Sequence, residues 1–254
     1  MTRTMTVTMT RTLLRLILAG LVSLLALPLA AQQMVAIGSA QGYLALPSTP
    51  GKHPAVIVIQ EWWGLNPWLK QQADTLAAQG YVALAPDLYH GKVAETAPQA
   101  MALTRAFNRT QGLDELNAAY AYLRGRKDVE ADRIGALGWC FGGGLTWSLA
   151  AMQPGLRGVA IFYGPLPAAP ERPAYIAKLR VPVLGSFGGA DQSIPAAGVQ
   201  QFTAALQSAG RSVDIKIYPG MPHAFAHVTT PEGKDAYADA WARTLRFLHQ
   251  RLAD

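Results

Sequence analysis

The stretch Gly138-Trp139-Cys140-Phe141-Gly142 admits few backbones. Ile134-Gly135-Ala136-Leu137 before it reads as the end of a buried strand, and Leu145 to Ala151 after it reads as a helix. A G-x-nucleophile-x-G turn between a strand and a helix is a nucleophile elbow, here with cysteine where serine is usual. The glycines allow strained angles and a close strand–helix approach that a Cβ would block. Such a turn lifts the thiol clear of the sheet at a helix N-terminus, where backbone N–H groups and the dipole favour a thiolate and a developing oxyanion. The competing reading is a buried, inert cysteine in a glycine-rich turn. A phosphate loop fits less well: Trp147 stands where a G-x-G-x-x-G begun at Gly142 needs its last glycine, and no GK[ST] follows.

The rest of the chain alternates strands and helices. Gly42 to Pro47 reads as a short early strand, and Ala55-Val56-Ile57-Val58-Ile59 as a strand buried on both faces. Pro67 suits the first turn of a helix that Gly80 ends, and Tyr81 to Ala85 is the next strand. Helices are expected around Gln99 to Phe107 and over Leu113 to Leu123, then the elbow strand at Arg133 to Leu137. Three more strands are read at Val159 to Tyr163, Val181 to Gly185 and Val213 to Tyr218, with a helix over Gly198 to Ala209 between the last two. Asp235 to Leu252 reads as a long terminal helix. This alternation calls for an α/β fold with a mostly parallel central sheet and helices on both faces. Sites in such sheets lie beyond the carboxyl ends of the strands, and Glu61, Asp87, Cys140, Asp191 and His223 each follow a strand.

A thiol needs a base, and the base needs an orienting group. The chain order Cys140, Asp191, His223 is the nucleophile–acid–histidine order of α/β-hydrolases. Taken singly, an Asp in a glycine-rich turn is ordinarily a turn former, and Asp87 is read as capping its loop. His223 and His227 are four apart, but Ala224 stands where H-E-x-x-H needs Glu and a lone cysteine makes no zinc pair, so no metal is expected. No cofactor is expected either.

Gln60-Glu61-x-x-Gly64-Leu65-Asn66, Ala85-Pro86-Asp87-Leu88-Tyr89, Gly138 to Gly143, Gly189-Ala190-Asp191 and His223-Ala224-Phe225 together resemble the dienelactone hydrolase family, over about residues 43 to 250. The resemblance implies an α/β-hydrolase fold with Cys140 as nucleophile, His223 as base and then acid, and Asp191 as its orienting partner. It implies that Glu61 helps activate the thiol and that the backbone N–H groups of Trp62 and Phe141 form the oxyanion hole. The sequence departs from the family where substrate is read. The best-known members bind a substrate carboxylate with arginines, one of them four residues after the catalytic histidine, where this chain has His227. Trp63, Tyr89, Trp139, Phe225 and His227 are expected to line a pocket for a small ester or lactone. The alternative is a non-catalytic binding protein on the same fold.

Residues 1 to 31 read as a secretory signal peptide, and 32 to 254 as a single α/β-hydrolase domain. Arg3, Arg11 and Arg15 precede or enter an apolar stretch from Leu13 to Leu29, and Ala30-Ala31 suit a signal peptidase. An uncleaved anchor is the competing reading, although the apolar run is shorter than the ~20 residues a spanning helix wants. An exported, periplasmic or secreted monomer is expected, with no stable membrane association after cleavage. A single cysteine in an exported chain suggests a reactive thiol. The net charge of +6 falls to +3 without the three leader arginines, and no basic stripe interleaved with aromatics argues for nucleic acid.

Overall fold

In the computed structural model, residues 32–252 are described, and the expected leader lies outside them. Eight strands form one sheet in the order β1-β2-β4-β3-β5-β6-β7-β8. These are β1 (Gln32–Ile37), β2 (Ala40–Ala45), β3 (His53–Ile59), β4 (Val82–Pro86), β5 (Val129–Trp139), β6 (Val159–Phe162), β7 (Val183–Gly188) and β8 (Val213–Tyr218). β1 and β2 run antiparallel at one edge, and β3 to β8 are parallel. β1 is absent from the sequence reading, because its Gln-rich start directly follows the leader. Among the described residues the seven α-helices are α1 (Pro67–Ala78), α2 (Ala97–Ala106), α3 (Arg109–Gly125), α4 (Phe141–Met152), α5 (Arg172–Lys178), α6 (Ala196–Ser208) and α7 (Pro231–Leu252). No helix among the described residues is long and apolar enough to cross a membrane.

Alternation along the strands splits the core in two. Ile57, Ile59, Ala136, Ile161 and Phe187 face α3, α4 and α6, through Leu116, Leu145, Trp147 and Phe202. Val56, Val58, Leu137, Trp139 and Phe162 face α1 and α7, through Leu69, Leu76, Ala240 and Leu248. Both faces of the parallel strands are covered, which is why β3 and β4 read as unbroken apolar runs. Asn66 accepts from the Leu69 N–H at 2.9 Å and caps α1, with Pro67 at its first position.

The close approach of α4 to the sheet sets the position of the elbow. A Cβ on Gly142 would lie 2.4 Å from the carbonyl oxygens of both Ile59 and Gln60, and one on Gly143 would lie 2.7 Å from the Cα of Gly164. These contacts are with backbone, which cannot rotate away. Gly142→Ala is therefore expected to lower stability by about 1–3 kcal/mol in a denaturant titration, through strain and a displaced helix. Gly198→Ala, in the first turn of α6 with nothing within 4 Å of the new methyl group, should leave stability unchanged or raise it by up to about 1 kcal/mol.

Candidate active site

Beyond the end of β5, Cys140 takes φ 50° and ψ −119° and begins α4. Its N–H is tied to the Phe162 carbonyl at 3.0 Å, and its carbonyl accepts from the Gly144 N–H at 3.1 Å. His223 comes from the loop after β8 and Asp191 from the loop after β7. Backbone bonds join these loops: the Gly189 N–H donates to the Tyr218 carbonyl at 2.8 Å, and the Ala190 N–H to the Met221 carbonyl at 2.9 Å. His223 Nε2 lies 3.1 Å from Cys140 Sγ, and His223 Nδ1 lies 2.7 Å from Asp191 Oδ2. The other oxygen of Asp191 accepts from the N–H groups of Ser193 and Ile194 at 2.8 and 3.0 Å. A buried carboxylate held this way keeps Nδ1 protonated, leaving the Nε2 lone pair facing the thiol.

Glu61, just past β3, is 3% exposed. Its carboxylate accepts from the Tyr163 hydroxyl at 3.3 Å and pairs with His227 Nε2 at 2.8 Å. Tyr163 was not singled out from the sequence. It is wholly buried at a positive φ of 37°, and its ring sits 5.2 Å from that of His223. Burial and the Glu61 charge keep its phenol protonated, so that it serves as a donor. The Glu61 hydrogen bond raises the His227 pKa against the opposing effect of burial.

Opposing effects meet at the sulfur. Burial, followed by the charge of Glu61, pushes the Cys140 thiol up to about 12; the Phe141 N–H works against this, and Asp191 adds to it. The helix N-terminus does not outweigh desolvation and two carboxylates, so the resting group is the thiol and not a thiolate. Glu61 in this arrangement bonds to His227 and Tyr163, and its charge opposes ionisation of the sulfur.

A cleft of about 720 Å³ opens over Cys140, lined by Glu61, Trp62, Trp63, Trp68, Glu95 and His227 among others. Trp63 and His227 border it, as expected. Trp139 and Phe225 do not. Trp139 is the last residue of β5, and strand alternation turns its ring down onto α1 and α7, against Trp68, Phe162 and Trp241. Phe225 packs in the core between Tyr163 and Tyr218. Tyr89 lies behind Phe141, ring centroids 5.9 Å apart, and borders a separate cavity of about 140 Å³. Asp87 accepts from the N–H groups of Tyr89 and Gly91 at 3.2 and 2.5 Å, the loop-capping role read from the sequence. Trp68, Glu95 and Ser193 line the cleft without having been singled out, and Asn66, quoted only as the end of a motif, lines it too. For Trp68 the signal was its place in the first turn of the helix that follows Glu61.

Alkylation of Cys140 by iodoacetamide should be slow at pH 8 and rise steeply through the alkaline range, tracking the thiolate fraction. Glu61→Gln removes one opposing charge and should shift the midpoint downward. The measurement is the pH dependence of the inactivation rate in folded protein.

The dienelactone hydrolase family model matches residues 40–252. A Methylorubrum extorquens protein assigned provisionally as a carboxymethylenebutenolidase is 33% identical over 225 residues, covering 84% of this chain and 77% of its own. A Salmonella typhimurium protein with the same assignment is 34% identical over 221 residues, covering 82% of each chain. A crystal structure of a Klebsiella pneumoniae protein, described provisionally as a dienelactone hydrolase, superposes with a TM-score of 0.79 at 29% identity, covering 87% of this chain and 99% of that one. With the family model spanning nearly the whole sheet and the elbow, the chain belongs to the dienelactone hydrolase family and is a carboxylic ester hydrolase of that type.

Proposed function

We propose that the enzyme cleaves a carboxylic ester, lactone or thioester through an acyl-cysteine intermediate, with Cys140, His223 and Asp191 as the triad. The observation that carries this reading is the continuous relay from Asp191 Oδ2 through His223 to Cys140 Sγ, at 2.7 and 3.1 Å. Because the thiol rests protonated, its proton passes to His223 Nε2 as sulfur attacks the carbonyl carbon. Asp191 steadies the imidazolium so formed. The carbonyl oxygen becomes an oxyanion, which the N–H groups of Phe141 and Trp62 are positioned by chain order to receive. The Phe141 N–H already faces the sulfur. His223 then protonates the leaving oxygen or sulfur, and the acyl-cysteine remains. Water, deprotonated by His223, attacks the acyl carbon, and collapse returns the thiol and releases the acid.

Cys140→Ala should lower kcat/KM on small aryl esters at least about a thousandfold, and His223→Ala by a comparable factor, since members of a triad act as a unit. Asp191→Asn should cost less and leave the fold intact. Turnover in Cys140→Ala at the wild-type rate would remove the acyl-cysteine mechanism. An acylated Cys140, trapped by acid quench and read by mass spectrometry, would support it directly.

The enzyme is further proposed to act outside the cytoplasm, on the strength of the arginine-containing apolar leader and the single thiol. The mature protein from a periplasmic fraction should begin at Gln32 when its N-terminus is sequenced. A chain retaining residues 1 to 31 would contradict export by cleavage.

A further inference from the structure

The walls of the cleft carry a chemical bias of their own. Three tryptophans, Trp62, Trp63 and Trp68, line it, and all three are half-buried, so that part of each ring is open to solvent. Two carboxylates line it as well, Glu61 on the floor and Glu95 at the exposed rim. No lysine or arginine is among the lining residues. Arg105 lies in α2 and Arg109 donates to Ser148 Oγ at 2.6 Å, and neither borders the cleft. Lys92 borders the smaller cavity instead.

Two lining histidines could oppose this bias: His223, whose Nδ1 is already tied to Asp191 at 2.7 Å, and His227. The Nε2 of His227 is taken by Glu61, and its ring lies 4.6 Å from that of Trp68. When protonated it offsets Glu61 alone. Glu95 makes no ion pair among the described residues, so the open end of the cleft keeps a net negative charge. An anionic substrate entering here would approach two carboxylates with no guanidinium to receive it. A cation would meet aromatic faces, which attract it through their quadrupoles, and a carboxylate at the entrance.

We propose that this cleft selects esters bearing a cationic group, of the quaternary or protonated ammonium class, and discriminates against esters bearing a carboxylate. The cation sits among Trp62, Trp63 and Trp68 with Glu95 at its open side, while the scissile carbonyl lies over Cys140. This rests on the acyl-cysteine reading only for the position of the carbonyl.

Binding is tested first, on full-length Cys140→Ala, so that turnover plays no part. Phenyltrimethylammonium and phenylacetate are titrated against intrinsic tryptophan fluorescence. The cation is expected to bind at least about tenfold tighter, with a preference that shrinks as salt is raised. Glu95→Gln should narrow the gap and Glu95→Lys should close or reverse it. Glu95 is exposed, so neither change threatens folding. Phenylacetate binding as tightly as the cation, or a gap indifferent to Glu95, would overturn the proposal. The wild-type enzyme is then given acetate esters of matched size with a trimethylammonium, a tert-butyl or a carboxylate terminus, and kcat/KM should fall in that order. Selective binding with no turnover of any ester would count against the hydrolytic reading alone and sustain the selectivity. Turnover with the carboxylate ester preferred would overturn the selectivity alone.

Discussion

Cys140 occupies a backbone conformation that L residues rarely adopt, at φ 50° and ψ −119°. Strain of this kind costs of order 1–3 kcal/mol and persists only where the surroundings over-determine it. Here the N–H of Cys140 is tied to β6, while its carbonyl is held by the first turn of α4. Gly138 and Gly142 stand so close that a Cβ on Gly138 would be 2.6 Å from the carbonyl of Gly142. The side chain of Thr146 closes the same corner by donating to that carbonyl at 2.8 Å. The turn can then aim sulfur in one direction only. Every other part of the site is arranged around that direction: β7 and β8 bring Asp191 and His223 to meet it, and β3 brings Glu61 beneath it.

The electrostatic consequence falls on the Cys140 thiol. Two carboxylates and burial disfavour the thiolate, and one backbone N–H favours it. A site designed around a standing thiolate would surround it with positive charge. This one instead places an imidazole at 3.1 Å, a base to which the thiol proton can pass as the carbonyl is attacked. In an oxidising compartment a cysteine would gain from that arrangement, because the thiolate is also the form most open to oxidation. Glu61, one of the two carboxylates that disfavour the thiolate, also lines the cleft beside Glu95, so reactivity and the proposed selectivity share one group.

The parallel sheet and the meeting of Cys140, Asp191 and His223 at one rim were legible because each leaves a mark along the chain. β-branched runs announce strands buried on both faces, and the loop after each strand end announces the rim. What faces the cleft was less legible. Trp63 and Trp139 look alike in sequence, each beside a motif residue, yet one lines the cleft and the other is wholly buried. The difference is the phase of strand alternation at the end of β5, which flanking composition does not reveal. Tyr163 carried no motif at all. Its role depends on a positive φ and on a hydrogen bond across 102 residues to Glu61, and both arise only once β3 and β6 lie on either side of β5. β1 was hidden for another reason, since its residues join a segment read as leader.

His227 ties these strands of reasoning together. A guanidinium at this position could bind Glu61 and still present donors to a substrate carboxylate, because its five N–H groups form a fork. Imidazole has two nitrogens, and Nε2 is committed to Glu61 at 2.8 Å. Its face is occupied by Trp68, and Nδ1 alone remains, without the paired geometry that a carboxylate rewards. The exchange also makes the charge conditional. A guanidinium would neutralise Glu61 at every accessible pH, whereas His227 does so only while protonated. As pH rises through its raised pKa the offset disappears, and the field at Cys140 and at the cleft mouth becomes more negative. A single residue four places after His223 therefore adjusts the charge of the cleft, and it does so from outside the Asp191–His223–Cys140 chain.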